Sequence, residues 1–200
     1  MKFKIKGTEF TLSFTFLAIF LILACIGEVK LCLFSFISSL LHETVHIVFI
    51  LILGGNVKAV TLTAFGANIV RGEKSLTSLK EALISLSAPV FNLILGGLFY
   101  KTLPLLSLVN SGIGLFNLLP FYDFDGGRGL SFLLESIVES YKINRILDVT
   151  AVLVTVLFTF ISVYFCFKFK MNLTLVLLSV YMIFKLFVRL KPNVKNSYKC

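Results

Sequence analysis

The sequence predicts an all-α polytopic membrane protein with about six transmembrane helices. Its 200 residues are 58% hydrophobic, include 22 Phe, and are only 14% charged. The mean hydropathy of +0.97 is typical of integral membrane proteins. This is more apolar surface than one soluble core of this length could bury, so we expect much of it to face lipid.

The apolar residues are grouped in six runs, which are the expected membrane spans. The runs are 10–26, 31–53, 79–100, 103–119, 146–167 and 173–188. The fourth run is short and ends at Pro120, because proline cannot continue a helix. Residues 1–190 are therefore expected to form a single membrane-embedded domain, and 191–200 a short cytoplasmic tail.

A short segment between the second and third spans has the composition of β-strands. Residues 57–70 are rich in Val, Thr and Ile and alternate loosely around Phe65 and Gly66. This pattern predicts a β-hairpin or a re-entrant element at the membrane interface. Open strand edges are not tolerated in lipid, so we expect the hairpin to lie against the helices or to line a water-filled cavity.

The distribution of charge indicates topology and argues against nucleic acid. The net charge is +9, but Lys and Arg fall in the gaps between apolar runs and form no basic face with interleaved aromatic residues. A cytoplasmic N-terminus places most of them in the cytoplasm and leaves only a few outside. Those outside are Lys30, Lys101, Lys168 and Lys170. We expect a multi-pass protein of a bacterial cytoplasmic membrane with both termini in the cytoplasm.

Neither the cysteines nor the N-terminus changes this interpretation. The four cysteines contain no C-x-x-C pair, so they indicate no disulfide framework and leave the redox compartment undetermined. Lys2, Lys4 and Lys6 before an apolar run also fit a signal peptide. Because the next span follows at once, we expect a retained first helix instead.

The second span contains the pattern H-E-x-x-H, formed by His42, Glu43 and His46. In a helix this spacing puts both imidazoles on one face, one turn apart, with the carboxylate beside them. The pattern is that of zinc metalloproteases, and ionisable residues at membrane depth usually have a function. The plainer alternative is a pair of core histidines that are hydrogen-bonded to neighbouring helices.

A second cluster of polar residues follows the fourth span. Pro120 ends the helix, Gly126 and Gly127 predict a tight turn, and Asp123 and Asp125 lie where apolar chain meets irregular backbone. Catalytic zinc sites usually take three protein ligands, so one carboxylate from this loop would complete the set. We expect Asp125 to be that ligand because the glycines let the backbone approach. Asp123 is then a solvated acid or an outer partner that orients an imidazole.

Together these motifs resemble the site-2 protease family of intramembrane zinc metalloproteases. HETVH lies in a span, N-x-x-P-x-x-x-x-D-G follows near a later one, and the segment 88–92 (APVFN) and the Phe65-Gly66 turn are supporting matches. The resemblance covers about residues 10–188 and is strongest to the sporulation branch, which processes the pro-sigma-K precursor. Departures are Ala88 where Gly is frequent, Asp123 where sporulation members can have Pro, and the expected lack of a C-terminal cystathionine-β-synthase-type domain.

The resemblance implies a role for each motif residue. His42, His46 and Asp125 would bind one zinc ion, Glu43 would be the catalytic base, and Asn117 and Pro120 would shape the loop beside the active site. A substrate helix must unwind before cleavage or add to the hairpin as a strand, which makes Phe65 and Gly66 a candidate substrate clamp. Expected partners are a membrane-tethered protein substrate, the lipid bilayer, and inhibitory or regulatory membrane proteins.

Two other functions use the same residues. A membrane metal-ion transporter or metal-binding protein would explain the histidines and Asp125, but it gives Glu43 no role. Charged residues along the other spans are also too few to mark an ion pathway. A non-catalytic regulatory relative would keep the fold alone, and the intact ligands and Glu43 argue against it.

Overall fold

The structure is a computed structural model that describes residues 2–5, 8–12, 29–63, 66–72, 75–135, 137–169 and 173–190. These residues divide into two compact units, Met1–Leu118 and Leu119–Cys200. The first unit holds strands β1 to β4 and helices α1 to α3, and the second holds α4 to α6. In chain order the elements are β1 Lys2–Ile5, β2 Thr8–Leu12, α1 Val29–Ile52, β3 Val57–Thr63, β4 Gly66–Arg71, α2 Ser78–Leu98, α3 Pro104–Asn117, α4 Asp125–Glu135, α5 Ser140–Phe169 and α6 Leu173–Leu190.

The four strands form one sheet in the order β1-β2-β3-β4. The pair β2 and β3 is parallel, and the two outer pairs are antiparallel. The predicted hairpin is confirmed as β3 and β4, but the all-α prediction missed β1 and β2. Their signal was the alternation of Lys with apolar residues at 2–6, which has the period of a strand. The first predicted span is wrong at its start because Phe10 lies in β2; its remainder, 13–26, lies outside the described residues.

Three helices are long and apolar enough to cross a membrane among the residues described. They are Val29–Ile52, Ser78–Leu98 and Tyr141–Lys168, which correspond to the second, third and fifth predicted spans. The fourth predicted span is the 14-residue helix α3 and the sixth is the 18-residue helix α6, neither of which meets that criterion. The structure therefore supports three of the six spans by length and composition.

The end of α1 is set by a glycine turn. Gly54 has φ 89°, a conformation that costs glycine little, and the N–H of Gly55 donates to the carbonyl oxygen of Ile50 at 2.8 Å. The ammonium group of Lys80, at the start of α2, donates to the carbonyl of Leu53 at 3.0 Å. A cation at this end of a helix is favourable because the last carbonyl groups carry partial negative charge. The turn directs the chain into β3 immediately after α1.

Small residues bring α2 and α3 close together. The hydroxyl of Ser107 donates to the carbonyl oxygen of Gly96 at 2.6 Å, which crosses the interface directly. A Cβ added to Gly114 would lie 2.8 Å from the carbonyl oxygen of Pro89, so only glycine fits there. Such contacts let helix backbones approach each other in membrane proteins, where apolar burial against lipid gains little.

In the second unit, the tight turn predicted at Gly126 and Gly127 is wrong. Both residues lie in the first turn of α4, which begins at Asp125. Glycine is unfavourable inside helices, so local propensity predicted a turn. Tertiary packing overrides that propensity here, because a Cβ on Gly127 would overlap the carbonyl group of Phe121.

The α2–α3 contact predicts different effects for two glycines of α3. Gly114→Ala should destabilise the protein by about 1–3 kcal/mol, because the added methyl group meets backbone. Gly112→Ala is the matched control, since nothing lies within 4 Å of its added Cβ. Helix propensity makes that control neutral or stabilising by up to about 1 kcal/mol. Unfolding of the purified protein in detergent measures both, and equal stability of the two variants would contradict the packing.

Candidate metal centre

The two histidines lie one turn apart on the buried face of α1. His42 is 5% exposed and His46 is 8% exposed, and both share this face with Ser38 and Ile50. The ring centroids are 4.9 Å apart, with the ring planes at 86°. Spacing of four residues along a helix produces this arrangement, so the local geometry follows directly from the sequence.

Each imidazole is held through its Nδ1 atom by a residue of α2. His46 Nδ1 lies 2.9 Å from the carbonyl oxygen of Ile84, and His42 Nδ1 lies 2.8 Å from Oδ1 of Asn92. A carbonyl oxygen only accepts hydrogen bonds, so Nδ1 of His46 carries the proton. The lone pair is then on Nε2, which is how metal-binding histidines are usually oriented by their outer partners.

Asn92 continues into a buried chain of hydrogen bonds. Its Nδ2 donates to Oδ1 of Asn110 in α3 at 2.9 Å, and Nδ2 of Asn110 donates to the hydroxyl of Ser38 in α1 at 2.9 Å. Asn92 and Ser38 are fully buried and Asn110 is 1% exposed. We name this chain, from His42 through Asn92 and Asn110 to Ser38, the amide chain. Sequence analysis noted Asn92 and missed Asn110, although an amide inside an apolar run is itself a signal.

Glu43 is half-buried and follows His42 directly on α1. One residue along a helix is about 100° of rotation, so the carboxylate projects beside the face that carries the histidines. The next residue, Thr44, is exposed and donates to the carbonyl of Leu40 at 2.7 Å. Glu43 therefore lies between the buried histidines and the exposed side of the helix.

Asp125 is the first residue of α4 and is 9% exposed. The first turn of a helix favours a carboxylate because its N–H groups carry partial positive charge. The preceding segment is packed by aromatic rings: Phe121 is fully buried, and its ring lies 5.0 Å from that of Phe124 and 4.5 Å from that of Tyr122. This packing holds the segment before Asp125 without a glycine turn.

Asp123 has a partner on the last helix. Its carboxylate lies 2.7 Å from the ammonium group of Lys185 in α6, and both side chains are about one-third exposed. One turn further on, Arg189 lies 4.5 Å over the ring of Tyr122 and donates to Asp148 of α5 at 2.7 Å. We name these contacts of Lys185 and Arg189 the basic clasp. Asp123 is thus engaged in an ion pair with α6.

Three of the remaining predicted site residues lie within the described part of the chain. Asn117 is the last residue of α3 and its Nδ2 donates to the carbonyl of Ile113 at 3.0 Å, one turn back in the same helix. Pro120 is partly buried in the irregular segment that precedes α4. Gly66 is the first residue of β4, and Phe65 lies outside the described residues.

The described residues offer three potential metal ligands, His42 and His46 in the first unit and Asp125 in the second. Each of the three side chains is at most 9% exposed. Two imidazoles and one carboxylate are the donor types and the number that catalytic zinc sites use, with a further position left for water. The chemistry of this donor set fits a single metal ion.

Comparison with known proteins gives a similar sequence and a similar solved structure. No protein-family model matches the sequence. A zinc metalloprotease of Methanocaldococcus jannaschii is 26% identical over an alignment of 205 positions, which covers 91% of this chain and 58% of that protein. The solved structure of the site-2 protease from the same organism superposes with a TM-score of 0.65 at 23% identity, covering 93% of each chain.

The chain has the fold of that site-2 protease. The three apolar helices that are long enough to cross a membrane indicate an integral membrane protein. The chain spans only 58% of the length of the related zinc metalloprotease, so the similarity concerns that part of the relative.

The two aspartates of the loop should differ in metal binding. Asp125→Asn should lose the metal, because an amide is a weak ligand for zinc and two histidines alone hold it poorly. Asp123→Asn should keep the metal, because its carboxylate is engaged with Lys185. The measurement is zinc per mole of protein purified in detergent, with elution on gel filtration as the check on folding. A metal-free Asp123→Asn beside a loaded Asp125→Asn would reverse the assignment.

Proposed function

We propose that the chain is an intramembrane zinc metalloprotease that hydrolyses a peptide bond in a membrane-spanning or membrane-tethered protein. The observation that carries the proposal is the pair His42 and His46, buried on one face of α1 and each held through Nδ1, with Glu43 next to the first of them in the chain. The similarity to a named zinc metalloprotease and to the site-2 protease fold supports it.

The residues divide the chemistry between them. His42, His46 and Asp125 hold the ion, and Asn117 and Pro120 shape the segment beside it. A bound zinc ion supplies acidity to a water molecule and polarises the peptide carbonyl. Glu43 accepts the proton of the attacking water and passes it to the leaving amine. A metal transporter would need the three ligands but would give this carboxylate no role.

The sheet is the proposed place for substrate. In the order β1-β2-β3-β4 the strand β4 is at one edge, and it pairs with β3 through residues 66–71. An edge strand presents backbone N–H and C=O groups to which an extended peptide can add as a further strand. Strand addition also unwinds a substrate helix, whose carbonyls are otherwise shielded. The turn at Phe65 and Gly66 is therefore proposed as part of a substrate clamp.

The proposals for substrate class and cellular location rest on the sequence alone. The resemblance to the sporulation branch supports a membrane-associated transcription-factor precursor as substrate and regulatory membrane proteins as partners. The same resemblance supports a bacterial cytoplasmic membrane, and the distribution of Lys and Arg supports both termini in the cytoplasm. Residues 1–190 are proposed to act as a single membrane-embedded catalytic domain, with 191–200 as its tail.

Glu43→Gln should abolish cleavage and leave the metal in place. The amide has nearly the same size but cannot accept the proton of water, and removal of a general base costs about 10²- to 10⁴-fold in rate. The measurement is product formation on co-expression with membrane-tethered precursors, of which the pro-sigma-K type is one, beside zinc per mole of purified protein. Thr44→Ala is the matched control: it changes an exposed neighbour whose described hydrogen bond lies within its own helix. Near-parental cleavage by Glu43→Gln, or its failure to bind zinc, would contradict the role.

The proposed orientation can be tested by cysteine labelling. In a background without Cys25, Cys32, Cys166 and Cys200, single cysteines replace Lys101 and Lys195. Lys101→Cys should react with a membrane-impermeant maleimide in intact cells, whereas Lys195→Cys should react only after the membrane is opened. The opposite pattern would invert the topology and would place both termini outside.

A further inference from the structure

We propose that Asn110 is a positioning residue that decides which ring nitrogen of His42 carries the proton. The inference rests on the proposed metal site and adds a function to a residue of α3 that contacts neither histidine in the described hydrogen bonds. It follows from the direction of each hydrogen bond in the amide chain. These directions are set by the backbone carbonyl group of Leu106, which can only accept a hydrogen bond.

The first step concerns the orientation of Asn110. Its Nδ2 lies 2.9 Å from the carbonyl oxygen of Leu106, one turn back in α3. Because that oxygen only accepts, the amide nitrogen must face it, and its second N–H reaches the hydroxyl of Ser38. The carbonyl oxygen Oδ1 of Asn110 is thereby turned toward Asn92.

The second step passes this orientation to His42. An oxygen from Asn110 requires a donor from Asn92, so Asn92 presents Nδ2 to Asn110 and Oδ1 to the imidazole. Oδ1 only accepts, so Nδ1 of His42 must be the protonated nitrogen. The lone pair of the neutral ring is then on Nε2. The backbone carbonyl of Leu106 has determined the tautomer of His42 through two side-chain amides.

The third step is the contrast with His46. That ring bonds directly to the backbone carbonyl of Ile84, which cannot reverse its role. Asn92 can, because a primary amide has nearly the same shape after rotation by 180°. In the rotated state its N–H₂ group would face Nδ1 of His42 and hold the proton on Nε2. His42 thus depends on Asn110 for a tautomer that His46 receives from its own backbone partner.

Burial makes the dependence strong. Asn92 is fully buried and Asn110 is 1% exposed, so bulk water does not reach them to replace a lost partner. Outer partners of metal-binding histidines typically contribute about 10- to 100-fold in metal affinity. We expect an effect of that size for Asn110 on zinc binding by this chain.

Ring spectra of metal-free protein provide a direct test. The chain has only two histidines, so histidine labelled with ¹⁵N in the ring gives four nitrogen signals, and a protein purified without a histidine tag keeps that number. His46→Gln assigns the rings. At a pH where both rings are neutral, the parent should show the proton on Nδ1 of each. In Asn110→Leu and Asn110→Ala, His42 should gain the form protonated on Nε2, and His46 should be unchanged.

Zinc affinity and a rescue variant separate positioning from packing. Competition with a chelator should show zinc affinity about 10- to 100-fold lower in both Asn110 variants. Asn92→Asp added to Asn110→Ala should restore the Nδ1 proton and most of the affinity, because a carboxylate accepts in either orientation. Ser107→Ala is the control, because it removes another buried hydrogen bond between α2 and α3, outside the amide chain. It should leave both the spectra and the affinity at parental values.

The outcomes decide the inference independently of the proteolytic activity. A parental His42 spectrum in both Asn110 variants overturns it, as does failure of Asn92→Asp to restore the ring state. An equal change in Ser107→Ala also overturns it, because the effect would then be one of packing. A parent that binds no zinc would overturn the proposed function, but the spectra of the metal-free protein would still test the assignment of Asn110.

Discussion

The amide chain is the interaction on which the first unit depends. It joins α1, α2 and α3 by polar groups that are almost fully removed from solvent. A buried donor or acceptor without a partner costs about 1–3 kcal/mol, and apolar surroundings supply no substitute. The three helices must therefore approach to hydrogen-bond distance at the same points. The small residues at Gly96, Ser107 and Gly114 allow that approach between α2 and α3.

The second unit positions Asp125 by other means. Asp125 starts a helix, and the segment before it is fastened by aromatic packing and by the basic clasp on α6. Sporulation members of the family that this chain resembles can have proline at the position of Asp123. Proline restricts the backbone through its ring, whereas Asp123 restricts it through an ion pair with Lys185. Partly exposed ion pairs are individually weak, so the restraint comes from Lys185, Arg189 and the buried Phe121 acting together.

The side chains of the proposed site support the proposed chemistry more strongly than the similarity of fold does. A fold can host many functions, so a TM-score of 0.65 alone leaves the activity open. What favours hydrolysis is a carboxylate, Glu43, placed next to His42 on the helix whose two histidines a metal can use. Both histidines are also held through Nδ1, which prepares the opposite nitrogen for a metal ion.

The sequence by itself determined the features that depend on near neighbours in the chain. The spacing of His42 and His46 on α1 follows from helical periodicity, and the β3–β4 hairpin and the apolar runs follow from local composition. Tertiary structure decided the rest, because the partners are far apart in sequence. Asn110 meets Ser38 across 72 positions, and Gly127 lies in a helix because the backbone at Phe121 leaves no room for a side chain. Local patterns do not encode such contacts, which form only when separate helices pack and every buried polar group must find a partner.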